Sequence, residues 1–114
     1  MNQPQEAGAD MSKILIVDDS PSQLYYLRKM VEGVGHNAVT VESGEQALEA
    51  AANERPEVIL MDIVMPGMSG YTAKRKLGKG PSTKHIPVIF VTSKDSEADR
   101  DWGLRQGARE YVTK

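Results

Sequence analysis

Short apolar runs alternate with helical patterns along this chain, and the alternation predicts an α/β fold: a doubly wound parallel sheet covered by helices on both faces. Two observations carry the prediction. Runs rich in Val, Ile and Leu are bounded by charge or by Gly, Pro and Ser, and the order along the chain reads βαβαβαβαβ. At 114 residues the chain suits one domain with a sizeable core.

The first run, Ile14-Leu-Ile-Val17, has no polar alternation, as expected of a strand buried on both faces. Ser20-Pro21-Ser22-Gln23 follows as a helix start, with a capping serine, proline at the first helical position and glutamine three residues after the cap. Leu24, Leu27, Val31 and Val34 recur at helical spacing, and Gly33 and Gly35 end that helix. Ala38-Val-Thr-Val41 reads as the second strand. Ser43-Gly44-Glu45-Gln46 repeats the cap, Ala47, Leu48 and Ala51 form an apolar stripe, and Asn53 and Pro56 terminate it. Val58-Ile-Leu-Met61 is the third strand, with Asp62 directly after it, and Met65 to Gly70 is a loop by its Pro and Gly content. A weaker helix from about Tyr71 to Leu77 is broken by Gly78, Gly80 and Pro81. Val88-Ile-Phe-Val91 is a fourth strand ending at Thr92, Ser96 to Gln106 is helical and stopped by Gly107, and Glu110-Tyr-Val-Thr113 is a short fifth strand. Residues 1–11 read as a flexible tail ahead of a domain over 12–114.

Composition narrows the function. A net charge of -2 gives no reason to expect nucleic acid or an anionic membrane as partner. The absence of cysteine excludes disulfides, thiolate metal sites and cysteine nucleophiles, and suits a cytoplasmic setting. No apolar run approaches the ~20 residues of a membrane span, and no secretory signal is visible. His36 and His85 have no partner at metal-ligand spacing. Lys74, Arg75, Lys76 and Lys79 read as a solvated helix face, Trp102 as a packing residue, and Tyr25 and Tyr26 as helix-face residues.

The polar residues that stand out all follow strands: Asp18 and Asp19 the first, Asp62 the third, Thr92 the fourth and Lys114 the fifth. In open α/β sheets, ligands bind outside the carboxyl ends of strands where the strand order reverses. In the order 2-1-3-4-5, known for one class of such sheets, those four strands are neighbours, and one small pocket is then expected to hold all five residues. Three carboxylates in one pocket repel unless a cation neutralises them. Oxygen-only ligands suit a hard ion, and Mg²⁺, which binds through one or two carboxylates plus phosphate, fits best. A carboxylate is also a competent nucleophile toward phosphorus, and phosphoryl transfer needs positive charge near the equatorial oxygens. Each residue alone has an ordinary reading: Asp18-Asp19 as an Asx turn, Asp62 as a turn residue, Thr92 as a helix cap, Lys114 as a solvated charge. Joint placement is what separates the constellation from these.

With those residues in view the chain resembles the response-regulator receiver family. The matching pieces are Ile16-Val-Asp-Asp-Ser20, Leu60-Met-Asp-Ile-Val-Met-Pro-Gly67, Val91-Thr-Ser93 and Gly107-Ala-Arg-Glu-Tyr-Val-Thr-Lys114, and the match covers Ser12 to Lys114. The resemblance implies the flavodoxin-like strand order 2-1-3-4-5 and a phosphorylation-operated signalling switch rather than a turnover enzyme. It implies Asp62 as phosphoacceptor, Mg²⁺ held by Asp19, Asp62 and the backbone carbonyl of Val64 with Asp18 acting through water, and Thr92 and Lys114 on the phosphoryl group. It also implies a switch pair, Thr92 and Tyr111, in which Tyr111 turns inward. The implied partners are a sensor histidine kinase of the chemotaxis type and a downstream motility protein. Thr92-Ser-Lys-Asp, Trp102-Gly103 and Arg105-Gln-Gly-Ala-Arg109 look most like single-domain regulators of type IV pilus twitching motility.

Two departures from the family stand out. Val64 is apolar where the chemotaxis receiver carries an amide, and Lys94 is basic where it carries an acid, so both positions are expected to tune dephosphorylation. The family also continues past its lysine with a fifth helix. Here the sequence stops at Lys114, which points to a cut version of a longer chain or to self-association that covers the bared face. Other readings are a phosphate sink without output, the receiver part of a transcription factor, and, from another class, a Mg²⁺-dependent phosphohydrolase. The phosphohydrolase pattern places its nucleophile in an Asp-x-Asp run after the first strand, which this chain lacks. A flavodoxin-like electron carrier is disfavoured because two aspartates after the first strand would repel a flavin phosphate.

Overall fold

The computed structural model describes residues 12–114, so the tail expected over 1–11 lies outside the described residues. The strands are β1 (Lys13–Val17), β2 (Asn37–Val41), β3 (Val58–Met61), β4 (Val88–Thr92) and β5 (Glu110–Thr113). Between them run α1 (Pro21–Gly33), α2 (Gly44–Glu54), α3 (Gly70–Lys79) and α4 (Glu97–Arg105). Every strand pairing is parallel and the order is β2-β1-β3-β4-β5, as the sequence pattern and the resemblance predict.

Serine starts each helix. The hydroxyls of Ser20, Ser43, Ser69 and Ser96 accept from the backbone N–H three residues on, satisfying one of the donors a helix N-terminus leaves free. Gln46 also reaches back, accepting from the Glu42 N–H at 2.7 Å. Helix ends depart from the sequence reading at three places. Val34 does not extend the buried stripe of Leu24, Leu27 and Val31; it is the C-cap of α1 and points to solvent. Asn53 lies inside α2, whose end is set instead by Arg55 in the left-handed region (φ 49°), because Pro56 disfavours the right-handed helical conformation at the residue before it. Gly78 does not break α3. Its backbone continues to Lys79, and the Thr83 hydroxyl caps the end by donating to the Leu77 carbonyl at 2.7 Å.

The sheet divides the core. On one face Leu15, Val17, Ile59, Met61, Val88 and Phe90 pack against Ala47 and Ala51 of α2, Ala73 and Leu77 of α3, and Tyr111. On the other, Ile16 and Val91 pack against Leu24, Leu27 and Val31 of α1. Among the described residues α1 is the helix over that second face, and Val112 of β5 is left 47% exposed. No helix among the described residues is long and apolar enough to cross a membrane.

Truncation at the sheet centre should separate core from surface. Ile59→Ala, at a fully buried site, is expected to cost about 2–5 kcal/mol, whereas Val34→Ala, at an exposed one, should stay within about 0.5 kcal/mol. Urea melts of the two variants measure the difference.

Candidate functional site

Parallel register delivers the candidate residues to one end of the sheet. Val17 pairs with Met61, and Thr92 with Thr113. Backbone pairing continues one step further: the Asp62 N–H donates to the Val17 carbonyl at 2.9 Å, and the Lys114 N–H donates to the Thr92 carbonyl at 2.8 Å. Asp18, Asp62, Thr92 and Lys114 thus hang from strand ends rather than from free loops.

Asp18, Asp19 and Asp62 place carboxylate oxygens within 4.8 Å of one another. Asp18 and Asp62 are buried and Asp19 is exposed. Backbone amides hold one oxygen of each buried acid: the Ser20 N–H donates to Asp18 Oδ1 at 2.9 Å, and the Ile63 N–H to Asp62 Oδ1 at 2.7 Å. Lys114 serves the other two. Its Nζ donates to Asp62 Oδ2 at 3.1 Å and lies 3.0 Å from Asp18 Oδ2. The Asp18 contact is close but misaligned, so that buried oxygen accepts no hydrogen bond. Burial pulls the Lys114 ammonium toward the neutral form, but the hydrogen bond it donates to Asp62 and the close negative charges of Asp62 and Asp18 outweigh it and leave its pKa above the ordinary lysine value. Three carboxylates facing one ammonium leave a formal excess of two negative charges. An oxygen-only donor set with that excess and an orphaned buried oxygen fits a hard divalent cation such as Mg²⁺.

Thr92 is fully buried, and its Oγ1 accepts from the Lys94 N–H at 3.3 Å. Tyr111 is turned inward, and its hydroxyl donates to the Lys94 carbonyl at 2.8 Å. The two faces of the Lys94 backbone therefore join the expected switch pair, a link absent from the sequence reading of Lys94 as a side chain. Its ammonium lies 3.7 Å from Asp99 of α4. Val64, two residues after Asp62 in the loop that follows β3, is 58% exposed. Burial, reinforced by the nearby Tyr71 phenol and by Asp99 and Asp95, pushes the Tyr111 phenol up to about 12.

Sequence reasoning assigned no site role to Gly70. A Cβ there would overlap the Asp62 carbonyl oxygen, and the Gly70 N–H donates to the Ile63 carbonyl at 2.8 Å, so α3 presses its first turn onto the backbone of Asp62. The available signal was a glycine directly after a capping serine, where a helix former is usual. Trp102 packs edge-on against Tyr71 while half exposed, in keeping with the packing role expected of it. The Ser12 N–H donates to His36 Nδ1 at 3.1 Å, a local contact away from the acids.

The response regulator receiver domain family matches residues 14–114. Protein PilH of Pseudomonas aeruginosa is 53% identical over 104 residues, covering 91% of this chain and 86% of PilH. Response regulator PleD of Caulobacter vibrioides is 40% identical over 103 residues, which make up 90% of this chain but 23% of PleD. Among solved structures, chemotaxis protein CheY4 of Vibrio cholerae superposes with a TM-score of 0.85 at 29% identity, covering 91% of this chain and 87% of CheY4. The receiver domain of sensor histidine kinase PA1611 from Pseudomonas aeruginosa, solved with a magnesium ion coordinated in its active-site cleft, gives a TM-score of 0.83 at 30% identity, over 91% of this chain and 85% of that one.

The buried phenol makes a pH prediction. The folded pKa of Tyr111 lies above the unfolded value, so its share of stability is full below the ordinary value of 10.0 and is lost as pH climbs toward about 12. Tyr111→Phe has no such proton to lose. Between about pH 9 and pH 12 the wild type is expected to lose on the order of 2 kcal/mol more than Tyr111→Phe. Denaturant melts across that range check it, and parallel losses in the two proteins would contradict it.

Proposed function

Because this chain belongs to the response-regulator receiver family of two-component signalling, we propose that Asp62 accepts a phosphoryl group from the phosphohistidine of a sensor kinase. One observation carries the reading. Asp62 is a buried carboxylate with one oxygen fixed by a backbone amide and the other reached by Lys114, inside a cluster of three acids. Residues 12–114 act as the receiver unit, in the cytoplasm, as a switch rather than a turnover enzyme.

In the transfer, an Asp62 oxygen bonds to phosphorus and the P–N bond breaks, its electron pair leaving on the imidazole nitrogen. The Ile63 amide fixes the rotation of the carboxylate before attack. Asp19, Asp62 and the Val64 carbonyl would hold Mg²⁺, with Asp18 acting through water, and that ion when bound neutralises charge on the phosphoryl oxygens. Lys114 shifts its charge from the two carboxylates onto the same oxygens. The Thr92 hydroxyl keeps accepting from Lys94 while its O–H donates a hydrogen bond to a phosphoryl oxygen. Because Lys94 also holds the Tyr111 hydroxyl, a move of Thr92 toward the phosphate is felt at Tyr111. The output is type IV pilus or chemotaxis-type motility, supported by the likeness to PilH and by the Thr92-Ser-Lys-Asp and Trp102-Gly103 pieces.

Titration of the protein with beryllofluoride and Mg²⁺, read by Trp102 fluorescence, tests the acceptor. The wild type should respond with single stoichiometry and Asp62→Asn should not; a response that survives the substitution defeats the proposal. Phosphoryl lifetime tests the neighbouring position. Val64 has no hydrogen-bonding group to orient an attacking water, so Val64→Asn is expected to shorten the lifetime of labelled protein. Decay of the wild type at the same rate or faster would remove Val64 from the account.

A further inference from the structure

Tyr111 is received by two residues that the phosphoryl chemistry does not use. Gly103, buried on α4, faces its ring: a Cβ there would lie 2.7 Å from Tyr111 Cδ2, 2.8 Å from its Cε2 and 3.3 Å from Phe90 Cδ2. The helix is not free to retreat, because Arg100 of α4 donates to the Tyr111 carbonyl at 2.9 Å. Tyr71, in the first turn of α3, reaches the Tyr111 ring by way of Phe90. Its ring packs edge-on against Phe90, centroids 5.5 Å apart, and against Trp102 at 6.4 Å. Its hydroxyl reaches the Asp99 carbonyl at 3.4 Å. Phe90 in turn meets the Tyr111 ring edge-on at 6.3 Å. The Tyr111 proton goes to the Lys94 carbonyl, so the neighbouring Tyr71 phenol acts on Tyr111 through packing and its field rather than by taking that proton.

We propose that Gly103 and Tyr71 are positioning residues for the inward Tyr111: Gly103 leaves the space that its ring fills, and Tyr71 walls that space and transmits its occupancy to Trp102. The proposal deepens the receiver reading and rests on it for the direction of the switch. A side chain at position 103 competes with the inward ring for the same volume, and the arrangement has little slack because Arg100 holds α4 to β5. If a phosphoryl group at Asp62 favours the inward ring, then disfavouring that ring weakens phosphoryl-mimic binding by the same factor. Tyr71 follows Gly70, which touches the Asp62 backbone, so the wall of the socket and the acceptor share one turn of α3.

Two measurements test this on the intact protein. Ring-to-ring NMR contacts between Tyr111 and Phe90 read the socket without any phosphoryl chemistry. Gly103→Ala should remove them and Asp62→Asn should keep them; retention in Gly103→Ala overturns the proposal while leaving the receiver reading untouched. Beryllofluoride titration with Mg²⁺, followed by Trp102 fluorescence, reads the coupling. Gly103→Ala is expected to raise the half-response concentration about tenfold, the factor an overpacking cost of ordinary size produces. In a Tyr111→Ala background the same substitution should change it less than about twofold, since no ring remains to compete. Equal effects in both backgrounds would assign Gly103 a merely structural role and overturn the proposal. Tyr71→Ala, which creates no clash and serves if Gly103→Ala does not fold, should lose most of the fluorescence change, and Tyr71→Phe should restore it. A full change in Tyr71→Ala overturns the role of Tyr71. A response in Asp62→Asn would instead remove the receiver reading and the direction of the switch with it.

Discussion

A single ammonium stands between two buried carboxylates on different strands, and the pocket depends on that contact. Lys114 begins on β5 and ends 3.1 Å from Asp62, which follows β3. Two strand spacings, about 10 Å, separate those backbones, a gap that a long, single-headed side chain closes and a short one does not. The same Nζ lies 3.0 Å from Asp18, one strand further on. Burying like charges together is costly, and each carboxylate here is met by both a backbone amide and the ammonium. Even so, the compensation stops short at Asp18 Oδ2, which is buried and accepts no hydrogen bond. The pocket is left short of positive charge, which suits it to a divalent cation.

The second dependence runs through a backbone. Lys94 gives its N–H to Thr92 and its carbonyl to Tyr111, so the peptide units around one residue connect the end of β4 to the ring on β5. Side-chain substitution at Lys94 leaves that connection in place, which separates any effect of its charge from the coupling itself. The ammonium instead pairs with Asp99 on the first turn of α4, the helix that carries Gly103. The acidic pocket, the β4–α4 turn and the aromatic cluster are thereby joined by contacts of known length rather than by proximity alone.

Much of this was legible in the sequence, for physical reasons. Strands buried on both faces read as uninterrupted apolar runs, and β1 and β4 do so without ambiguity. Serine caps with a glutamine three residues on located two helix starts to the residue. Asp18, Asp62, Thr92 and Lys114 were found because the residue after a parallel strand is placed by the register of that strand. Helix ends were less legible. Asn53 and Gly78 look like breakers by type, but both lie in helices whose ends are set by Arg55 and Thr83. Gly70, Gly103 and Tyr71 were illegible for another reason. Each matters through what approaches it from a distant part of the chain: the Asp62 carbonyl, the Tyr111 ring, and the Phe90 and Trp102 rings. A glycine in a sequence shows the absence of a side chain, not what occupies the space.

That occupied space explains why the ring on β5 suits a discrete switch. Interiors pack densely, so a buried ring has few positions that avoid overlap. Phe90 bounds Tyr111 on one side, Gly103 on another, and the hydroxyl is held at its far end by Lys94. A partial outward turn would break the bond to Lys94 while leaving the ring against Gly103 and Phe90, losing the favourable contact before relieving any crowding. Intermediate positions are therefore poorer than the inward one, and under the proposed function a small displacement at Thr92 would select between two packings rather than tilt one. The half-exposed Trp102, which meets Tyr71 across the cluster, is where such a selection would reach the surface.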